Sequence, residues 1–132
     1  MKKKLLSIAL SSLVVVSLFI GCSNKKNNEN TTVPTNMVSV EHAMGTTEIP
    51  TNPQKVVILT SEGTEALLAL GVKPVGAVTG VTGDWYDHTK DELEGVKQVG
   101  MEREPNIEAI AALKPDLIIG NKMRHEKIYS QL

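Results

Sequence analysis

The sequence predicts an α/β fold built on a parallel sheet, and three observations carry that prediction. Residues 55–60, 74–79 and 116–119 are short, continuous apolar runs, the pattern of strands buried on both faces of a parallel sheet. Helical spacing of apolar residues falls between those runs. The segments ALLALGVKPVGAV (66–78) and AIAALKPDLIIG (109–120) then repeat one order: an apolar helix end, a Lys-Pro break and a buried strand. Strands alternating with helices in this way become parallel neighbours joined by right-handed crossovers.

In chain order, Val38-Ser39-Val40 alternates like a strand and Glu48-Ile49-Pro50 closes a second after a turn at Gly45. The pair predicts an edge hairpin. The run 55–60 is the first buried strand. Ser61 caps a helix over 62–70 that Gly71 ends, with Gly63 a weak point inside it. The run 74–79 is the second buried strand, and 80–90 is a loop carrying Gly83-Asp84-Trp85-Tyr86-Asp87-His88. Val96-Lys97-Gln98-Val99 alternates as a short strand before Gly100. Pro105-Asn106 opens a further helix, with Asn106 as cap and Ile107, Ile110, Ala111 and Lys114 on one face. Lys114-Pro115 stops it ahead of the strand at 116–119, and 124–132 closes as a helix with Ile128 and Leu132 on one side. In such a sheet the ligand crevice lies beyond the carboxyl ends of the strands. That rule singles out the loops at 60–61, 79–86, 100–104 and 120–125.

The N-terminal end reads differently. Lys2, Lys3 and Lys4 precede an apolar stretch over 5–20, a secretory signal too short and too one-sidedly flanked for a membrane span. It ends at Phe19-Ile20-Gly21-Cys22, and Cys22 is the chain's single cysteine. This junction resembles a bacterial lipobox, with Phe19 standing where that motif prefers leucine. The resemblance implies an acylated Cys22 as first residue of the mature chain. A lone exposed thiol in an exported protein would be reactive, whereas a lipidated one is not. Residues 23–36 are rich in Asn, Thr, Lys and Ser and have too little apolar surface to offset the entropy of ordering. The expected organisation is a signal peptide at 1–21, a lipid anchor and polar tether at 22–37, and a folded part at 38–132. Cleavage removes three of the 14 basic residues and none of the 15 acidic ones. The acidic remainder argues against a nucleic-acid binder. With one cysteine, a disulfide scaffold and a cysteine-based zinc site are excluded. The folded part, about 95 residues, suffices for one small domain.

The crevice loops hold the chain's two arginines, Arg103 and Arg124, its one tryptophan, Trp85, and Tyr86. Arginine presents a fixed fork of donors to carboxylates and other oxyanions, and aromatic faces suit a flat or chelated ligand. Solvated surface charge is the plain alternative for each arginine. His42, His88 and His125 form no nucleophile–base spacing, and Asp84, Asp87 and Asp91 do not follow a calcium loop. The glycines at 71, 76, 80 and 83 match neither the dinucleotide fingerprint nor the phosphate loop. No catalytic residue, metal-ligand set or cofactor is predicted.

Several stretches together, HAMGTTEIPTNPQKVVIL, ALGVKPVGAV and EPNIEAIAALKPDLIIGNKMRHEKIYSQL, resemble the iron-siderophore substrate-binding lipoproteins of ABC importers. These belong to the periplasmic-binding family that also includes cobalamin and haem binders. The most specific part is 105–132, where Pro-Asn-x-Glu, Leu-Lys-Pro-Asp-Leu-Ile-Ile and Arg-His-Glu-Lys follow in order. The resemblance implies two lobes, each an α/β sandwich, joined by one long helix with the ligand between them. This chain is expected to carry only the first lobe, incomplete, without the linking helix and the second lobe, as a truncated fragment. Carried over by motif, Arg124 and Arg103 become ligand contacts, and Trp85 and Tyr86 line the pocket. Glu108 becomes the glutamate that docks on the importer's membrane subunits, although a carboxylate in a first helical turn also has a local electrostatic reason to be there. The implied function is capture of a ferric siderophore for an ABC importer, without catalysis, by a monomer lipid-anchored on the extracytoplasmic face of the cell membrane. A haem or cobalamin receptor of the same fold is a second reading. A small exported α/β enzyme or an adhesion lipoprotein is a third, and the enzyme would need a catalytic constellation that these loops lack.

Overall fold

The computed structural model describes residues 36–132. The expected signal peptide, Cys22 and all but the end of the expected tether lie outside the described residues. The strands are β1 (Met37–His42), β2 (Gly45–Pro50), β3 (Val56–Ile58), β4 (Gly76–Thr79), β5 (Lys97–Met101), β6 (Glu104–Pro105) and β7 (Leu117–Ile119). The helices are α1 (Ser61–Ala69), α2 (Ile107–Leu113) and α3 (Lys122–His125), and a 3-10 helix over Glu126–Gln131 follows directly.

Five strands form one sheet in the order β6-β5-β4-β3-β7. β3, the most apolar run, pairs in parallel with β4 on one side and β7 on the other, and β4 pairs in parallel with β5. The parallel sheet is therefore as predicted. Successive β3 residues point to opposite faces. Val57 and Leu59 join Val78, Val99 and Ile110 in the core beneath α2. Ile58 faces the other way, toward α1, where a Cβ added at Gly63 would lie 2.6 Å from its Cδ1. Helices thus cover both faces, which is why β3 carries no polar alternation.

Several local expectations are corrected. The hairpin β1–β2 forms its own two-stranded antiparallel sheet and is not an edge of the main one. It begins at Met37, paired with Pro50, so the fold starts inside the expected tether. Thr60, not Ser61, caps α1, its hydroxyl accepting from the Gly63 N–H at 3.1 Å. Asn106 caps α2 as expected, accepting from Ala109 N–H at 2.8 Å. Lys114 leaves the α2 face: it ends the helix in the left-handed region at φ 49°, and Ala109 and Leu113 pack on the core instead. β7 is half-buried rather than buried, because among the described residues it has a strand on one side only. The expected terminal helix is a single turn of α-helix that tightens into 3-10 geometry.

Two contacts fix the sheet's ends. Asp116 accepts from the backbone N–H of Gln54 at 2.8 Å and of Lys55 at 2.9 Å, tying the entry of β3 to that of β7. β6, which the sequence did not predict, folds back antiparallel on β5. That return needs Gly100, with φ +95° and the Glu104 carbonyl 2.6 Å from where a Cβ would stand. The reversal places Glu102 and Arg103 at the carboxyl end of the sheet.

Candidate functional site

The loops that leave β3, β4, β5 and β7 meet at this carboxyl end. Asn121 follows β7, caps α3, and accepts from the Arg124 N–H at 2.9 Å. That cap sends the Arg124 side chain toward the start of α1. Its Nη1 lies 2.9 Å from Glu62 Oε1 and 3.4 Å from Glu102 Oε1. Glu102 Oε1 also accepts from the Ser61 N–H at 3.3 Å. One guanidinium therefore bridges a carboxylate in the first turn of α1 and one in the β5–β6 turn.

The buried His125 supports the same corner. Its Nε2 lies 3.1 Å from the Glu102 carbonyl, which can only accept, so that nitrogen carries the proton. Nδ1 accepts from the Asn121 N–H at 3.1 Å. The ring thus joins α3 to the β5–β6 turn as a neutral imidazole. The carboxyl of Glu62 is held below its ordinary value, chiefly by its own backbone N–H; desolvation opposes this, and Arg124 and Glu102 add to the lowering.

Trp85 and Tyr86 stand at the other side of the first turn of α1. Trp85 is half-buried, and with Ser61, Thr64, Val78 and Gly80 the two aromatics frame a recess of about 10 Å³, room for one water at most. The Tyr86 ring lies close on Gly80, where a Cβ would come within 2.9 Å of it, and stacks on His88 with centroids 5.8 Å apart. His88 Nε2 in turn lies 2.8 Å from Glu65 Oε1. The hydroxyl of Ser61 is buried beside this recess without a hydrogen-bond partner among the described residues.

The structure thus gathers Arg124, Trp85 and Tyr86 around the start of α1. It does not pair the two arginines. Arg103 is exposed in the β5–β6 turn and meets no carboxylate among the described residues, whereas Arg124 meets two. Glu108 is exposed in the first turn of α2. Sequence reasoning missed Glu62, Glu102 and the bridging role of His125. A cap-forming Asn121 three residues before Arg124 was the one local signal available. A larger concavity, about 720 Å³, lies away from the aromatics, between β1–β2 and β7, lined by Val40, Ile49, Ile118, Tyr129 and Leu132 among others. Among the described residues no helix is long and apolar enough to cross a membrane, and no group of three or more potential ligands is placed to hold a metal.

A family model described as periplasmic binding protein matches residues 56–132, which include the whole five-stranded sheet and this corner. The chain belongs to the periplasmic binding protein family. Within the family it is similar to the "Probable siderophore-binding lipoprotein YfiY" of Bacillus subtilis, with 56% identity over 98% of this chain and 41% of that protein. It is also similar to the Fe(3+)-citrate-binding protein YfmC of the same organism, with 33% identity over 97% of this chain and 40% of that one. Among solved structures, Staphylococcus aureus SirA complexed with staphyloferrin B superposes with a TM-score of 0.68 and 47% identity, over 71% of this chain and 32% of SirA. The chain spans about two fifths of the length of the curated relatives it matches. Two of these relatives are named as binders of siderophores and of ferric citrate.

Proposed function

We propose that this chain forms the first lobe of an extracytoplasmic receptor that captures a ferric siderophore and delivers it to an ABC importer. The observation that carries the proposal is the 56% identity, across nearly the whole chain, to a protein named as a siderophore-binding lipoprotein. The carboxyl end of the sheet supports it with a guanidinium and an aromatic pair around one helix start. Arg124 is the principal anion contact, with Arg103 a second from the neighbouring turn. Trp85 and Tyr86 supply the apolar wall, and exposed Glu108 meets the membrane subunits of the importer. The ferric chelate is cargo, so no cofactor and no catalytic step is needed, and the receptor works as a monomer held to the membrane through a lipid on Cys22.

Charge-assisted hydrogen bonds to an anionic chelate account for the importance of arginine here, each worth about 1.5–3 kcal/mol. Trp85 is the chain's one tryptophan, so its emission reports events at the site directly. Titration with ferric carboxylate, hydroxamate and catecholate chelates is expected to quench it saturably for at least one class. Arg124→Ala is expected to weaken that ligand about ten- to a hundred-fold. Quenching by haem or cobalamin but by no ferric chelate would replace this reading with that of a haem or cobalamin receptor.

A further inference from the structure

Arg124 is paired with two carboxylates of its own chain, and the two are not equivalent. Glu102 is 16% exposed, and its Oε1 is shared between Arg124 and the Ser61 N–H. Its backbone carbonyl is also engaged, by His125 Nε2. That residue is fixed from three directions. Glu62 is 62% exposed, and besides its own backbone N–H its carboxylate meets Arg124 at 2.9 Å and the Asn121 amide at 3.5 Å. Both carboxylates approach the same nitrogen, Nη1, of a side chain that is itself only 31% exposed. An incoming anion therefore meets a guanidinium whose accessible edge is taken by the one carboxylate free to leave.

We propose that Glu62 is an internal stand-in for the anionic group of the ligand. It occupies Arg124 while the lobe is empty and swings into solvent when a ligand carboxylate takes its place, while Glu102 stays and positions the guanidinium. This rests on the reading of Arg124 as an anion contact. Two consequences follow from charge. The empty corner carries two carboxylates on one guanidinium, so it repels a weakly competing anion and admits one that can match the displaced carboxylate. Affinity at this corner is then the difference between two ion pairs rather than the strength of one. Glu62 is a competitor for Arg124 whose removal tightens anion binding, the opposite of what loss of a merely structural residue does.

The test uses the full 132-residue chain in dodecyl maltoside micelles, with citrate as probe at neutral pH, read by the Arg124 side-chain NMR signals and by Trp85 emission. Glu62→Gln is expected to bind citrate about three- to ten-fold more tightly than wild type. The gain should vanish in the Glu62→Gln, Arg124→Ala double variant. Glu62→Ala, which cannot accept from Arg124 at all, should show at least the same gain and guards against an effect peculiar to glutamine. Equal or weaker binding by both single variants overturns the proposal, as does a gain that survives without Arg124, or no citrate binding by any form. A parallel titration with ferric siderophores separates this from the receptor reading. If they bind, but no more tightly to Glu62→Gln, the stand-in falls and the receptor reading stands. If none binds while the citrate gain persists, the receptor reading falls and the exchange stands.

Discussion

At Arg124 the backbone N–H is held by Asn121 and the guanidinium by Glu62 and Glu102, so the side chain is fixed at both ends by groups of its own chain. Losing the cap should be felt twice. Asn121→Ala is expected to cost about 1 kcal/mol of stability, measured by urea denaturation, and to broaden the Arg124 side-chain signals. The Glu62 carboxyl is held below its ordinary value in the folded chain. A group so lowered contributes stability that is present above the ordinary carboxylate value and is lost as pH falls through the lowered one. Wild type is therefore expected to lose more stability than Glu62→Gln when the urea midpoint is compared at about pH 6 and about pH 3. The difference should be small, because the carboxylate is largely exposed and screened by solvent. Equal losses in the two proteins would assign the acid sensitivity to other groups.

At the level of elements, α1 shows how packing can reverse a propensity rule. A glycine inside a nine-residue helix costs about 1 kcal/mol relative to alanine, and by that rule Gly63→Ala should stabilise the protein. In the fold a Cβ there would lie 2.6 Å from both Ile58 Cδ1 and Thr60 Oγ1. The first contact belongs to the core side chain beneath α1 and the second to the capping hydroxyl that accepts from Gly63 itself. Overpacking of this kind costs about 1–3 kcal/mol, so the substitution is expected to destabilise by about 1 kcal/mol net. A rise in the thermal midpoint would show that Ile58 and Thr60 yield more easily than their burial suggests. The Asp116 clamp works between elements instead, joining β3 and β7 at their starts so that both strands deliver their loops to the same edge.

For the whole molecule, the sheet sets the carboxyl-edge corner, and the proposed lipid anchor bears on where that corner would operate. A basic head, an apolar run and a Gly-Cys junction before a polar stretch are the basis for expecting a lipid on Cys22. One acyl chain binds membranes marginally, so stable anchoring needs a second chain or another signal. Wild type expressed in a bacterial host is expected to partition into the detergent phase on cloud-point separation, and Cys22→Ser into the aqueous phase. Identical partitioning would mean that Cys22 carries no lipid. The residues from Cys22 onward are net acidic and give an anionic membrane surface no electrostatic help, so the proposed lipid on Cys22 would have to supply the attachment.

The runs at 55–60, 74–79 and 116–119 could be read as parallel-sheet strands because covering both faces leaves an unbroken apolar signature in the chain. Asn106 could be read as a cap because its partner, the Ala109 N–H, is three residues away. The choice of the carboxyl ends of the strands as the place to look for a site came from topology alone. The sheet order, with β7 at an edge and the hairpin apart, was decided by which strands found partners, and half-burial of Leu117 and Ile118 has no local mark. The choice of Thr60 over Ser61 as cap turned on where β3 ends, a matter of its pairing with its neighbours. Above all, Glu62 and Arg124 stand 62 residues apart in the chain. No periodicity or motif links residues so distant, and only the folding of β3 beside β7 brings the start of α1 within reach of α3.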